Sequence, residues 1–442
     1  MAKTVDWSKY FSYNTSKLED FQKRLGARNV FATALMPIRG PIGFRKLDYE
    51  FAEKSLNVKE IMDKVEECHF NIFGLVIKDT DGACTWDTKV GWNPTNRDIL
   101  GEFCDEGKER NIPIMVSLTS MNDAYQGHLH PERVSIHGKS GVIKKFDRKY
   151  EVGDISTHEE GEMRVDLPEG ISLEEYQKKI PFLTEKIDDK IGASRGARGK
   201  GYIPLTSFMC PNSEHVDYLI DLAKEVVKNY PVESFIADYI RYDGQFTDLC
   251  TCERCQELFR DKYGQKAKIL KSNQWYDFKE DTIAIYARKL QDAIKGIDKN
   301  CITGWFLLPG SKNMFTRKRI AQNWTKLSEI LDITCPMEYP YLTGTRDDGW
   351  KWGKLGDIAY WYFIRNMKKR AHEINNPALA ITNSVECNAE EMLKQMKGFD
   401  FGLGIALFKY FGTTDSQWKA LKKYSEEDIG LDNLGLAKNY KL

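Results

Sequence analysis

Eight short apolar segments alternate with amphipathic helical patterns along the chain, and this alternation restricts the fold more than any other sequence feature. A short, continuous apolar run is typical of a strand that is buried on both faces. Strands that alternate with helices predict a parallel sheet. The predicted strands span residues 29–36, 70–77, 112–118, 233–242, 301–308, 331–339, 378–386 and 401–410.

Eight strand–helix units predict a (β/α)8 TIM barrel, an α/β fold in which the last unit pairs with the first and no sheet edge remains. An open doubly wound sheet is the alternative, but no glycine-rich phosphate loop follows the first strand. We expect one catalytic barrel domain over residues 1–442, with a polar insertion over residues 119–212 after the third strand. Loops of this length are often lids or binding loops. A solvated excursion is the alternative interpretation of the insertion.

The charge balance excludes two classes of partner. Lysine plus arginine and aspartate plus glutamate both number 65, so the chain has no general attraction for nucleic acid or anionic membranes. No apolar run reaches the roughly 18 residues of a membrane-spanning helix, and the first residues lack the apolar stretch of a signal peptide. We therefore expect a cytoplasmic protein.

Charged side chains interrupt strands that are otherwise apolar, at the end of the barrel where active sites of this fold lie. Asp238 lies within SFIADYI, Glu338 within ITCPMEY, and Glu386 ends the seventh strand. A buried unpaired charge is costly, so each needs a partner or a ligand. Structural ion pairs are one interpretation, and a catalytic set is the other. The residues predicted to contact substrate around them are Lys78, Asp79, Asp81, Trp86, Arg241, Asp243, Trp305 and Tyr339.

Carboxylates among aromatic side chains are typical of glycoside hydrolysis. One carboxylate attacks the anomeric carbon or activates water, while another protonates the leaving oxygen. Aromatic rings stack on the apolar faces of sugars. The sequence therefore predicts a glycoside hydrolase that acts on an oligosaccharide or glycoside and needs no organic cofactor.

Residues 210–264 resemble the central part of family 42 β-galactosidases. That family has a CPNS-type turn, a helix, strand four and a Cys-x-Cys-x2-Cys cluster, and all of these are found here. The resemblance implies a structural zinc ion held by Cys210, Cys250, Cys252 and Cys255. Four thiolates form a closed tetrahedral site with no open position for substrate. The resemblance also suggests Glu386 as a nucleophile on strand seven, and it leaves a homo-oligomer open.

Residues 73–125 are similar to strands two and three of family 29 α-L-fucosidases, whose nucleophile is an aspartate that ends strand four. This resemblance implies Asp238 as the nucleophile, with Glu338 as the acid/base of a retaining mechanism. In a second assignment Glu386 acts opposite Asp238 or Asp243. Which glutamate pairs with Asp238 is left open.

Two other functions fit the sequence. Tyr239 and Ile240 stand where family 42 has its Asn-Glu pair, so an inactive carbohydrate-binding barrel is one alternative. A metal-dependent sugar lyase or aldolase is the other. Against it, the seven histidines form no closely spaced ligand pair at a strand end.

Overall fold

The computed structural model describes residues 23, 29–39, 41, 46–136, 164–165, 167, 169–185, 202–204, 208–243, 249–269, 272–308, 316–337, 346–347, 350–351, 365, 377–384, 387–398 and 402–434. Eight of its strands form one parallel sheet, as the alternating pattern predicts. They are β1 (Val30–Leu35), β2 (Ile72–Lys78), β3 (Ile114–Thr119), β4 (Ser234–Asp238), β5 (Ile302–Leu307), β6 (Ile333–Pro336), β7 (Leu379–Asn383) and β8 (Gly404–Phe408).

The sheet closes into a barrel. Neighbouring strands follow the order β6-β5-β4-β3-β2-β1-β8-β7, with β1 paired in parallel to both β2 and β8. Between β6 and β7, parallel bridges join Thr334 to Ala378 and Met337 to Ile381. The predicted TIM-barrel fold is therefore confirmed.

Helices surround the barrel, and several begin where a polar side chain accepts a hydrogen bond from the first helical turn. Asn57 accepts from the Glu60 amide, and Thr414 forms a capping box with Gln417. The helices are α1 (Tyr49–Lys54), α2 (Val58–Glu67), α3 (Ile99–Arg110), α4 (Ala124–Leu129), α5 (Leu173–Tyr176), α6 (His215–Asn229), α7 (Glu253–Tyr263), α8 (Asn273–Ile297), α9 (Trp324–Ser328), α10 (Ala389–Gly398), α11 (Asp415–Lys423) and α12 (Leu431–Leu434). A 3-10 turn covers Pro131–Arg133, and π-helical segments cover Thr316–Ile320 and Tyr424–Gly430.

Alternation along each strand divides the apolar residues into two cores. Ile236 belongs to the cluster inside the barrel, whereas Phe235 and Ala237 pack outside against the helices. Close approach of strands requires glycine at Gly404, where φ is +135° and an added Cβ would lie 2.1 Å from the Val30 carbonyl oxygen. The parity of a strand residue thus decides whether its side chain faces the barrel axis or the helices.

The insertion after β3 contributes to a small second sheet. Arg164–Val165 pairs in parallel with Lys46–Leu47 from the β1–β2 connection. Tyr202–Pro204 lies antiparallel to both Arg164–Val165 and Leu183–Glu185. The insertion is therefore joined by hydrogen bonds to the segment that follows β1.

Three strands end three or four residues earlier than their sequence patterns predict. β4 stops at Asp238 because Tyr239 turns to a left-handed backbone conformation with φ of +47°. β6 ends at Pro336 and β7 at Asn383. In the part of the chain that the structure describes, no helix is long and apolar enough to cross a membrane.

Candidate active site

The carboxyl ends of the strands surround an opening that solvent reaches. Four inward-facing side chains at this end, those of Ala34, Asp238, Phe306 and Phe408, are half-buried, whereas Thr119 and Asn383 are buried. One layer deeper, inward-facing residues such as Ile236 are completely buried. The bottom of the opening is thus mostly apolar, with Asp238 as the one carboxylate among the inward-facing strand positions that the structure describes.

Asp238 ends β4 on the inner face of the barrel. It lies two residues after Ile236 of the inner core and pairs with Thr119 in the adjacent β3. Its carboxylate accepts a hydrogen bond of 2.7 Å from the Tyr239 amide, and its carbonyl oxygen accepts one of 2.8 Å from the Ser120 amide. The Tyr239 amide therefore orients the Asp238 carboxylate, and the bond from Ser120 fixes the Asp238 backbone to the neighbouring strand.

A charged cluster follows β1, β2 and β8. Arg39 donates from Nε and Nη2 to the two carboxylate oxygens of Asp79, at 2.6 and 2.9 Å, and from Nη2 to Thr80 Oγ1. Lys409 follows β8 and is almost fully buried. Burial disfavours its charged form and Arg39 repels it, so the pKa of Lys409 is lowered to about 7 although Asp79 attracts it.

Asp81 has no exposed surface, and its carboxylate accepts a hydrogen bond from the Tyr49 hydroxyl. Burial and the nearby Asp79 charge raise the pKa of Asp81 to about 7, against the effect of the bond from Tyr49. Asp81 is hydrogen-bonded to Tyr49 and has no exposed surface, so its carboxylate is closed to a substrate in this conformation.

Lys78, predicted to contact substrate, is completely buried beside a carboxylate. Its Nζ lies 2.9 Å from Asp123 Oδ2, with both side chains completely buried, and donates to the Thr119 carbonyl oxygen at 2.8 Å. Asp123 also accepts from the Gln126 amide and so caps α4. Lys78 therefore joins β2 to the end of β3 and does not line the opening.

The two tryptophans predicted to stack on substrate are also completely buried. Trp86 donates from Nε1 to Glu225 of α6 at 2.9 Å. Trp305 belongs to the outer core, because inward-facing positions of β5 fall on its even-numbered residues. Neither ring has a solvent-exposed face in this structure, and the contact of Trp86 and Trp305 with substrate stays a prediction.

Arg241 and Asp243 follow β4, and both are buried. The Arg241 guanidinium carbon lies 4.2 Å from the centre of the Tyr239 ring, which is half-buried beside Asp238. Asp243 directly precedes a segment outside the described residues. Three predicted site residues lie outside the described residues: Glu338, Tyr339 and Glu386.

The four predicted metal-binding cysteines form one cluster. Their Sγ atoms all lie within 4.8 Å of one another, and Cys210 Sγ lies 3.7 and 3.4 Å from those of Cys252 and Cys255. Tetrahedral Zn–S bonds of about 2.3 Å would separate the sulfurs by about 3.8 Å. The cluster therefore fits a metal ion of this size.

Hydrogen bonds to the sulfurs agree with thiolate ligands. The Ile136 amide donates to Cys250 Sγ at 3.3 Å, and Asn212 Nδ2 donates to Cys255 Sγ at 3.2 Å. Burial opposes ionisation of Cys250, but bonds from the neighbouring thiols hold its pKa well below the usual value, whereas the pKa values of Cys210 and Cys255 are raised because these thiols share their protons within the cluster. The cluster links the end of the insertion, at Cys210, to the loop after β4, and the bond from Ile136 attaches a segment near the start of the insertion.

The partners of the acidic residues were beyond sequence reasoning. Arg39 is 40 residues from Asp79, and Tyr49 is 32 from Asp81. Arg39 and Lys409 can be found from their positions just after β1 and β8. Those positions do not show that Arg39 pairs with Asp79. Asp123 could have been found only by its position just after β3.

No protein-family model matches the sequence, and no curated protein matches it. Solved structures share its fold. The chain is similar to the glycoside hydrolase domain of PgaB (BpsB) from Bordetella bronchiseptica, with a TM-score of 0.58 and 11% identity over 90% of this chain and 98% of that domain. It is also similar to α-L-fucosidase isoenzyme 2 from Paenibacillus thiaminolyticus, with a TM-score of 0.53 and 11% identity over 91% of this chain and 49% of that one.

A third similar structure is the β-galactosidase from the psychrophilic Marinomonas ef1, with a TM-score of 0.55 and 10% identity over 92% of this chain. The chain spans about half the length of the fucosidase and 62% of the galactosidase. Both enzyme classes suggested by the sequence are thus among the structures with this barrel. At these identities the likeness concerns the fold.

Proposed function

We propose that the protein is a retaining glycoside hydrolase that acts on an oligosaccharide or glycoside, with Asp238 as its nucleophile. The observation that supports this most is the place of Asp238. It is a half-buried carboxylate on the inner face of a barrel mouth, in a fold shared with several glycoside hydrolases.

The surroundings of Asp238 suit attack on an anomeric carbon. The Tyr239 amide donates to the carboxylate and so favours its ionised form. The half-buried Phe306 and Phe408 rings present apolar surface at the bottom of the opening, which would contact the apolar face of a sugar. The chemistry then needs a second carboxyl group that protonates the leaving oxygen.

We propose that Glu338 or Glu386 supplies this second carboxyl group, since each lies within a few residues after the end of a barrel strand. Retention requires the two carboxyl groups to lie about 5–5.5 Å apart, and inversion about 6.5–9.5 Å. Asp79, Arg241 and Tyr339 are retained as proposed substrate contacts, and Asp243, which is as completely buried as Asp81, stays a prediction. Each of the three retained residues could bind sugar hydroxyls through a charged or phenolic group.

The proposal is tested with a broad panel of aryl glycosides and reduced oligosaccharides, with the product anomer followed by proton NMR. We expect hydrolysis of at least one substrate with retention of configuration. Glu338→Gln and Glu386→Gln then identify the acid/base, because its loss spares substrates with activated leaving groups. Sugar binding without turnover of any substrate would contradict the proposal and favour an inactive carbohydrate-binding barrel.

We also propose that the cysteine cluster holds a structural zinc ion. Its four sulfurs fill the coordination shell of a tetrahedral metal, so zinc would stabilise the fold and would not touch substrate. This proposal rests on the sulfur distances and on the N–H donors that face the sulfurs.

A further inference from the structure

Arg241 is a buried cation without an anionic partner in the described part of the chain. It keeps only 8% of its surface exposed, and its guanidinium forms neither an ion pair nor a hydrogen bond with the described residues. Other buried cations have such partners. Arg39 bonds to Asp79, and Lys78 lies against Asp123. A charge that is taken out of water without a partner is costly, so Arg241 calls for a partner from outside the chain.

Two aromatic rings hold the guanidinium in place. Its central carbon lies 4.2 Å from the centre of the Tyr239 ring and 5.8 Å from that of the Phe208 ring. The attraction of a cation to a ring face offsets part of the cost of burying the charge. It engages none of the five N–H donors of the arginine in a hydrogen bond. The donors are thus held in position and still need acceptors.

Solvent reaches the nitrogens of Arg241. Completely buried side-chain nitrogens without a partner do occur among the described residues, for example in Asn122 and Trp305, but none of them belongs to Arg241. Because the Arg241 nitrogens also lack a protein acceptor, each must keep some exposed surface. Tyr239, whose ring contacts the guanidinium, directly follows Asp238 at the end of β4. The open donors therefore lie close to the proposed nucleophile.

An oxyanion is the ligand that suits these donors best. The planar guanidinium presents paired N–H groups that match the two oxygens of a carboxylate, or two oxygens of a sulfate group. A neutral hydroxyl would accept one hydrogen bond and leave the charge uncompensated. A cation close to Asp238 would also offset the repulsion between this carboxylate and an acidic sugar. Arg241 thus favours a substrate that carries its own negative charge.

We propose that Arg241 binds an oxyanion of the sugar, so that the substrate is an acidic saccharide with a carboxylate or a sulfate ester. The proposal rests on the proposed function, because it takes the opening beside Asp238 as the sugar site. A purely structural arginine would hold the Tyr239 and Phe208 rings and would affect neutral and acidic sugars alike. The two roles therefore differ in the preference for acidic over neutral sugars.

This preference is measured on sugars that differ by a single charged group. Isothermal titration calorimetry compares glucose with glucuronate and with its 6-sulfate, and galactose with galacturonate and with its 6-sulfate. Inorganic sulfate is titrated separately to detect binding of an anion without a sugar. We expect at least one acidic sugar to bind about tenfold to a hundredfold more tightly than its neutral counterpart, as expected for charge-assisted bidentate hydrogen bonds. The matching nitrophenyl glycosides should show the same order in kcat/KM.

Arg241→Gln removes the charge and the paired donors. It should abolish the preference and leave binding of the neutral sugar unchanged, once circular dichroism shows that the variant is folded. Arg288→Gln is the matched control, since Arg288 is an exposed arginine of α8, and it should keep the full preference. If Arg241→Gln does not fold, Arg241→Met takes its place, because its unbranched side chain adapts to the space against the rings.

The inference is overturned if no acidic sugar binds more tightly than its neutral counterpart, or if the preference survives the loss of Arg241. Equal binding of inorganic sulfate and the acidic sugars would also overturn it, because the anion would then need no sugar. Hydrolysis restricted to neutral glycosides would overturn the inference and leave the proposed function standing. Acidic sugars that bind through Arg241 without hydrolysis of any glycoside would count against the proposed function alone.

Discussion

At the scale of single residues, burial distinguishes structural charges from those that can meet a substrate. Lys78 and Asp123 form an ion pair with no exposed surface, whereas Asp238 remains half-buried at the opening. Charges buried as a pair have given up their hydration, so removing one member leaves the other without compensation. The same fold therefore holds carboxylates in two environments, one completely buried and one half-buried.

Replacing both members of this buried pair should cost less than the sum of the two single replacements. We expect Lys78→Met to lower the free energy of unfolding by about 3–5 kcal/mol. The double variant Lys78→Met/Asp123→Asn should be less destabilised than the sum of its single changes by at least about 1 kcal/mol. Urea denaturation measures all three, with the exposed Lys59→Met as a control expected within about 1 kcal/mol of wild type. Additive effects would contradict an ion pair between the two residues.

Asp81 should make stability depend on pH near neutrality. Its folded pKa of about 7 lies above the unfolded value of about 3.9. Between these values the native state holds a proton that the unfolded state has released, so stability falls as pH rises. Relative to Asp81→Asn, the wild type should lose on the order of 1–3 kcal/mol of unfolding free energy from pH 5 to pH 8.

Urea denaturation of both proteins at the two pH values measures this difference. Asp217→Asn is the control, because Asp217 lies on the solvent side of α6 with an exposed side chain. That variant should follow the pH dependence of the wild type. A difference between wild type and Asp81→Asn that does not change with pH would show that Asp81 is ionised throughout.

At the scale of elements, β4 and the loop after it organise the site. The strand brings Asp238 to the opening, and the same loop continues to the cysteine cluster. The Thr251 amide donates to the Ile136 carbonyl oxygen, and the Cys210 amide donates to the Arg133 carbonyl oxygen. The cluster therefore joins three segments that are far apart in sequence beside the barrel mouth.

The zinc proposal predicts one equivalent of zinc per chain in protein purified without chelator. Cys255→Ser should lose the metal and lower the Tm, because a closed thiolate site contributes metal-binding free energy to folding. Cys387→Ser is the control, since Cys387 is a half-buried thiol outside the cluster. Elemental analysis and thermal denaturation report the two outcomes. Wild-type protein without zinc, or unchanged zinc in Cys255→Ser, would contradict the proposal.

At the scale of the whole molecule, the alternating pattern was sufficient to predict the barrel. Each strand is an apolar run, and eight strand–helix units favoured a closed barrel over an open doubly wound sheet, as the pairing of β1 with β8 and the bridges between β6 and β7 confirm. The cysteine spacing likewise predicted a cluster that the structure confirms. Division into a single domain with an insertion over residues 119–212 stays a prediction.

The site was less predictable because sequence position near a strand end does not give side-chain direction. Trp305 and Lys78 lie at or near strand ends, but the first faces the helices and the second is paired with Asp123. The parity of Asp238 relative to the inner-core Ile236 would have placed it correctly. The end of β4 could not be predicted, because the left-handed turn at Tyr239 has no sequence signal.

Asp238 is proposed to perform the chemistry at the barrel mouth, and its substitution tests this proposal most directly. Steady-state kinetics of Asp238→Asn are compared with those of the wild type and of the exposed Asp217→Asn on the best glycoside of the panel, after circular dichroism shows that all three are folded. We expect kcat/KM to fall by at least about a thousandfold in Asp238→Asn and to remain unchanged in the control. Activity of Asp238→Asn within about tenfold of the wild type would remove Asp238 from the mechanism.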